Sequence, residues 1–167
     1  MRQKIPALII SLLAAIYLAN AIDKAFPAEP RSVEYDKLLT LTGTVTREYD
    51  MSFVDSDHSP VTDPKEAARI AAEYHRAHPA DKSHLHEPIP HLILHLDKPI
   101  AVEKGTDDGL HEAMRDVREI DLGTATVPED ALGKRRFAVT GKLWHAETVH
   151  HLRPVMMEVV SILPAKQ

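Results

Sequence analysis

Three stretches of this 167-residue chain alternate apolar and polar residues one by one, and that period restricts the fold more than any other feature. Over 38–50, Leu39, Leu41, Gly43 and Val45 share one face while Thr40, Thr42, Thr44 and Thr46 share the other. Over 91–103, Leu92, Leu94 and Leu96 point one way, with His91, Ile93 and His95 opposite. Over 136–144 the inner set is Phe137, Val139, Gly141 and Leu143. Successive side chains of a strand point to opposite faces, so each stretch is a half-buried β-strand with a defined inner side. Shorter strands are predicted over 117–122 and 155–163. Asp97-Lys98-Pro99 is expected to break or kink the second long strand.

Between the first two strands lies an insertion of different character, 51–90. Asp63 reads as a helix N-cap, with Pro64 in the first turn and Glu66 at the third position. The helix should run from 64 to about 78, with Ala67, Ile70, Ala71 and Tyr74 as a narrow apolar face and Pro79 as its end. Residues 80–90 read as loop, and the acidic connection 104–116 carries a helix signal over 108–116. Residues 128–133 form one helical turn stopped by Gly133. Glycines midway along the first and fourth strands suit the sharp bends of a small barrel. The expected fold is mainly β: a five-stranded OB-like Greek-key barrel over 38–167, with 51–90 as a helical, His-rich insertion. A lipocalin-like barrel would need eight strands.

The first segment reads as a signal peptide, 1–21. Arg2 and Lys4 precede an apolar run from 5 to 18 broken only by Ser11, and Ala19-Asn20-Ala21 follows as a cleavage site. An anchor helix needs about 20 apolar residues; this run is shorter and contains Pro6. Residues 22–37, with Pro27 and Pro30, read as a leader or tether. The body is therefore expected in the periplasm or secreted, touching a membrane only if the first segment stays uncleaved. There is no cysteine, which removes disulfides, thiolate zinc sites and iron–sulfur clusters. A formal net charge of -5 argues against a nucleic-acid partner.

The chain has 11 histidines, and their positions carry the main functional hint. In an OB-like barrel the connection between strands one and two and that between strands four and five share one rim. The first holds His58, His75, His78, His84 and His86; the second holds His145, His150 and His151. His91 and His95 would sit about 13 Å apart along a strand, too far for one ion held at about 2.0–2.1 Å from each ligand. His84 and His86 can converge in an extended loop, whereas His150 and His151 point apart if extended. Candidate metal ligands are thus His145, His150, His151, His84 and His86, with zinc or copper as the suited ion and Glu147 or Glu87 nearby. Candidate ligand-binding residues are Trp144, His145, Glu147, His150, His151 and Arg153. The same histidines read equally as solvated loop residues, and Trp144 as a plug for the barrel end.

Catalytic signatures are absent: no nucleophile elbow, P-loop or dinucleotide fingerprint occurs. Glu119 and Asp121, two apart on one strand, are expected on a solvated face. The basic run Lys134, Arg135 and Arg136, with Lys142 and Arg153, could meet an anion; a solvated edge strand guarded against aggregation is the expected reading.

Residues 132–155, LGKRRFAVTGKLWHAETVHHLRPV, together with Leu94–Ile100 (LHLDKPI) and Leu41–Val45 (LTGTV), resemble exported bacterial proteins carrying the domain of unknown function 4431. The similarity covers roughly 38–163 and concentrates in 133–155. It departs in a longer 51–90 insertion and in Leu152, where a third histidine often follows the pair. The resemblance implies an extracytoplasmic β domain without a known activity, and it singles out His145, His150 and His151. The expected function is an exported binding module that takes an unidentified small ligand on a His-rich rim. The alternative is an inhibitor or immunity protein that blocks a cell-envelope enzyme or toxin, the acidic charge suiting a basic partner.

Overall fold

The predicted alternation becomes the inner face of one sheet. A computed structural model describes residues 30–54, 59–79, 87–105, 112–146 and 151–166, all but Pro30 belonging to the unit Arg31–Gln167. Its elements in chain order are β1 (Arg31–Val33), β2 (Leu38–Asp50), α1 (Pro64–Ala77), β3 (Ile89–Val102), β4 (Met114–Asp121), a 3-10 turn (Glu129–Ala131), β5 (Arg136–His145) and β6 (Val155–Pro164). The six strands lie in the order β1-β3-β2-β5-β6-β4, and β4 pairs with β3 as well. The long strand β2 pairs antiparallel with β5 through its first half and with β3 through its second. β4 runs parallel to β6, with Asp121 opposite Met156.

Leu41, Val45, Leu92, Leu94, Phe137, Val139 and Leu143 fall in the buried cluster with Ile120, Val155 and Met157. These are the inner faces that period-two alternation defines. Gly43 and Gly141 serve close approach. A Cβ on Gly43 would stand 1.9 Å from the carbonyl oxygen of His95, and one on Gly141 would stand 2.3 Å from that of Glu158.

Helix α1 starts as its sequence dictates. The Asp63 side chain accepts the Lys65 N–H at 2.9 Å, and Pro64 opens the first turn. Ala67 and Ala71 are buried, and Tyr74 meets Phe53 edge-on with centroids 5.4 Å apart. Arg69 pairs with Glu66 and Glu73 on the solvent side, a contact worth little at such exposure. The turn at Glu129–Ala131 ends near Gly133, whose φ of 66° needs glycine.

Four expectations change. The tether 22–37 is partly fold: Arg31–Val33 pairs parallel with Ile100–Val102, and Val33 and Tyr35 are buried in the core. Asp97-Lys98-Pro99 does not break β3, which continues to Val102. Its neighbour changes there from β2 to β1, and its register against β4 shifts between His95 and Ile100; a proline is tolerated where ladder bonds are already interrupted. The helix signal over 108–116 fails at its end, because Met114–Asp116 belongs to β4; residues 106–111 lie outside the described residues. Finally, β5 is no edge strand, having β2 on one side and β6 on the other. Its first residue, Arg136, pairs with Asp97, and hydrogen bonds from Arg136 and Thr42 hold that carboxyl below its ordinary range. The predicted signal peptide lies outside the described residues. No helix among the described residues is long and apolar enough to cross a membrane.

Candidate functional site

The face of the sheet opposite the core carries the ionisable groups. Register sets Glu48 against His91 and Thr46 against Ile93 across β2–β3. Across β3–β4 it sets Ile93 against Asp121 and His95 against Glu119. Much of this face is closed to solvent: Asp121 and Ile93 are fully buried, and His91 and Glu48 nearly so.

Asp121 is the hub. His91 Nδ1 lies 3.0 and 2.9 Å from its two carboxylate oxygens. The backbone N–H groups of Gly123 and Leu152 donate to it at 2.7 and 3.0 Å. Burial pushes the Asp121 carboxyl up, but His91 and the two N–H donors outweigh that and hold it below its ordinary value. Its folded value therefore lies below its unfolded one. Stability from this group is full above the unfolded carboxylate range and is lost as pH falls through the folded value. Unfolding midpoints in urea should fall on acidification below about pH 4. Asp121→Asn should flatten that part of the profile; an unchanged slope would remove Asp121 as its source.

Arg153 spans the same face. Its Nη2 donates to both oxygens of Glu48 at 2.9 and 3.0 Å, and its Nε donates to Glu119. Glu119 also meets His95 Nδ1 at 3.1 Å, and His95 Nε2 lies 2.7 Å from Thr46 Oγ1. Partial burial raises the Glu119 carboxyl, yet Arg153 and His95 bring it below its ordinary range. Leu152 and Arg153 thus tie the end of the β5–β6 connection directly to β2 and β4, and through Glu119 and Asp121 to His95 and His91 on β3.

The predicted site residues divide accordingly. Trp144 meets His151 edge-on with ring centroids 5.0 Å apart. Trp144 pairs with Met156, whereas His145 pairs with Val155 in the core row. Neighbours on a strand face opposite ways, so Trp144 and His145 do not share one surface. Arg153 sits at the centre of the ionic network. Glu147, His150, His84 and His86 lie outside the described residues. Among the described residues, which include His145 and His151, no group of three or more histidine or acidic side chains could hold a metal. On the other connection, His75 stands 3.8 Å from Glu87, and His78 stacks on Tyr74.

The expected solvated face at Glu119 and Asp121 is overturned: Asp121 has no exposure, and Glu119 is half-buried. The sequence does hold part of the signal, since alternation places His91 with His95, and two-residue spacing places Glu119 with Asp121. It holds no sign that β3 and β4 stand in register, and none for Glu48. No known protein family, curated protein or solved structure matches the chain.

Proposed function

We propose that this chain is an exported periplasmic binding module, built as an OB-like Greek-key barrel, that takes its ligand on a rim formed by the β2–β3 and β5–β6 connections. The barrel reading is supported by the pairing cycle β2-β3-β4-β6-β5-β2, its parallel β4–β6 step and the helical turn between β4 and β5. One observation carries the rim reading. Arg153, in the β5–β6 connection, holds Glu48 two residues before the end of β2, while Leu152 is held by Asp121 at the end of β4. Anchoring of this kind holds Trp144 and His151 in place, which favours binding by lowering the ordering cost. Kinship with the domain of unknown function 4431 belongs to the same reading, because its most specific stretch spans β5 and this connection.

Zinc and copper are the first ligands to test. Calorimetric titration into the purified protein at neutral pH should give stoichiometric binding with proton release if the histidines form a site. His151→Ala should then weaken binding strongly, and His58→Ala should not. Equal affinities in His151→Ala and His58→Ala would discard the rim as the metal site. Absence of binding would leave a metal-free recognition rim and bring forward the inhibitor or immunity alternative. Export has its own test: N-terminal sequencing of the protein from the periplasmic fraction should begin at Ile22, and an intact Met1 in the cytoplasm would overturn it.

A further inference from the structure

On the same sheet face, a hydroxyl, an imidazole and a carboxylate stand in series. Thr46 Oγ1 lies 2.7 Å from His95 Nε2, and His95 Nδ1 lies 3.1 Å from Glu119 Oε1. Arg153 Nε donates to the other Glu119 oxygen. In the neutral imidazole, Nδ1–H donates to the carboxylate and the Nε2 lone pair faces the threonine hydroxyl. Register explains the assembly: His95 and Glu119 are directly opposed, while Thr46 and His95 are diagonal neighbours, since Thr44 opposes His95. Nucleophile, base and a third group that orients the base are the elements of covalent acyl transfer.

Access points the same way: the His95 and Glu119 side chains are 33% and 38% exposed, and Thr46 is half-buried.

We propose that Thr46, His95 and Glu119 form an acyl-transfer site that hydrolyses activated esters. Thr46 Oγ1 attacks the ester carbonyl carbon as His95 Nε2 takes the hydroxyl proton. The tetrahedral adduct collapses, the bond to the leaving oxygen breaks, and the alcohol departs with the proton from His95. Water then attacks the acyl-threonine, giving one proton to His95. That proton passes to Thr46 Oγ1 as the acyl bond breaks, releasing the carboxylic acid. Ester and water are consumed, alcohol and acid are formed, and no redox change occurs. Glu119 is a positioning residue: it holds the imidazole ring and stabilises its charged form, with Arg153 fixing its own orientation. The site does not depend on the histidine rim being a ligand site, so the two readings can fail separately.

The test is turnover of p-nitrophenyl acetate by the purified full-length protein, with mass spectrometry of the peptide that contains Thr46. A burst of p-nitrophenolate and an acetyl group on Thr46 are expected, because attack by water on the crowded secondary ester is slow. Thr46→Val, which keeps the shape, and His95→Ala should each reduce turnover about 10²-fold or more. Thr46→Ser should retain it, and Glu119→Gln should lower kcat while leaving KM unchanged. His78→Ala, an exposed imidazole just past the end of α1 and outside the relay, should change nothing. Wild-type turnover in Thr46→Val, no acetyl group on Thr46, equal loss in His78→Ala, or a rate no higher than that of free imidazole would each overturn the proposal. The adduct measurement uses only the wild-type protein, so it decides even if a variant fails to fold.

Discussion

Asp121→Ala should lower stability by about 3–5 kcal/mol, because it strips partners from a buried histidine and two backbone N–H groups at once. For a domain of this size that is about 12 °C or more in thermal midpoint, at about 4 °C per kcal/mol. The carboxylate is fully buried and accepts from His91, Gly123 and Leu152, so no solvent stands ready to replace it. Thermal unfolding followed by circular dichroism measures the effect. The single tryptophan supplies a local readout, since Trp144 rests on His151, one residue before the Leu152 anchor. Its fluorescence should shift in Asp121→Ala well below the unfolding temperature. Glu119→Ala is the contrast: its carboxylate is 38% exposed, and its loss should cost about 1 kcal/mol or less. Comparable losses in the two variants would show that burial is not what sets Asp121 apart.

The second large effect is expected at Gly43. A methyl group there would meet the His95 carbonyl oxygen at 1.9 Å, and that oxygen belongs to the backbone of the adjacent strand. It cannot rotate aside, so β2 and β3 must separate, at a cost of about 3 kcal/mol or more. Gly43→Ala should therefore accumulate as insoluble protein or unfold at a much lower temperature. Gly141→Ala meets the backbone oxygen of Glu158 at 2.3 Å and should behave similarly. Gly133→Ala has open space around the new atom and only the left-handed backbone to oppose it, at about 1–2 kcal/mol. Near-native stability in Gly43→Ala would mean that the strands approach less closely than the structure has them.

Local chemistry made much of this legible. Alternation in 38–50, 91–103 and 136–144 reports which side of each strand is apolar, and the sides so identified form the hydrophobic core cluster. The Asp63-Pro64 start of α1 and the Gly133 stop are equally local, since a cap or a positive φ is satisfied within a few residues. β1 was not legible: three residues without a period take strand form only because the second half of β3 leaves an unpaired edge. Asp97-Lys98-Pro99 was legible in part: the register against β4 shifts there, yet the strand continues, because whether a proline interrupts a strand depends on which partner its missing N–H would have faced.

The candidate site divides along the same line. By itself the sequence determines that His91 and His95 share one strand face, that Glu119 and Asp121 share another, and that Trp144 and Arg153 flank a histidine-rich connection. Only the tertiary structure decides that those two faces are one face. Strand register is a long-range choice among pairings that local pattern leaves equivalent. That choice turns an apparently solvated acidic strand into a buried Asp121 with four donated contacts, puts Thr46 within reach of His95, and sets Arg153 between Glu48 and Glu119. Charge burial is a property of what covers a residue, and its cover here comes from segments of the chain distant in sequence.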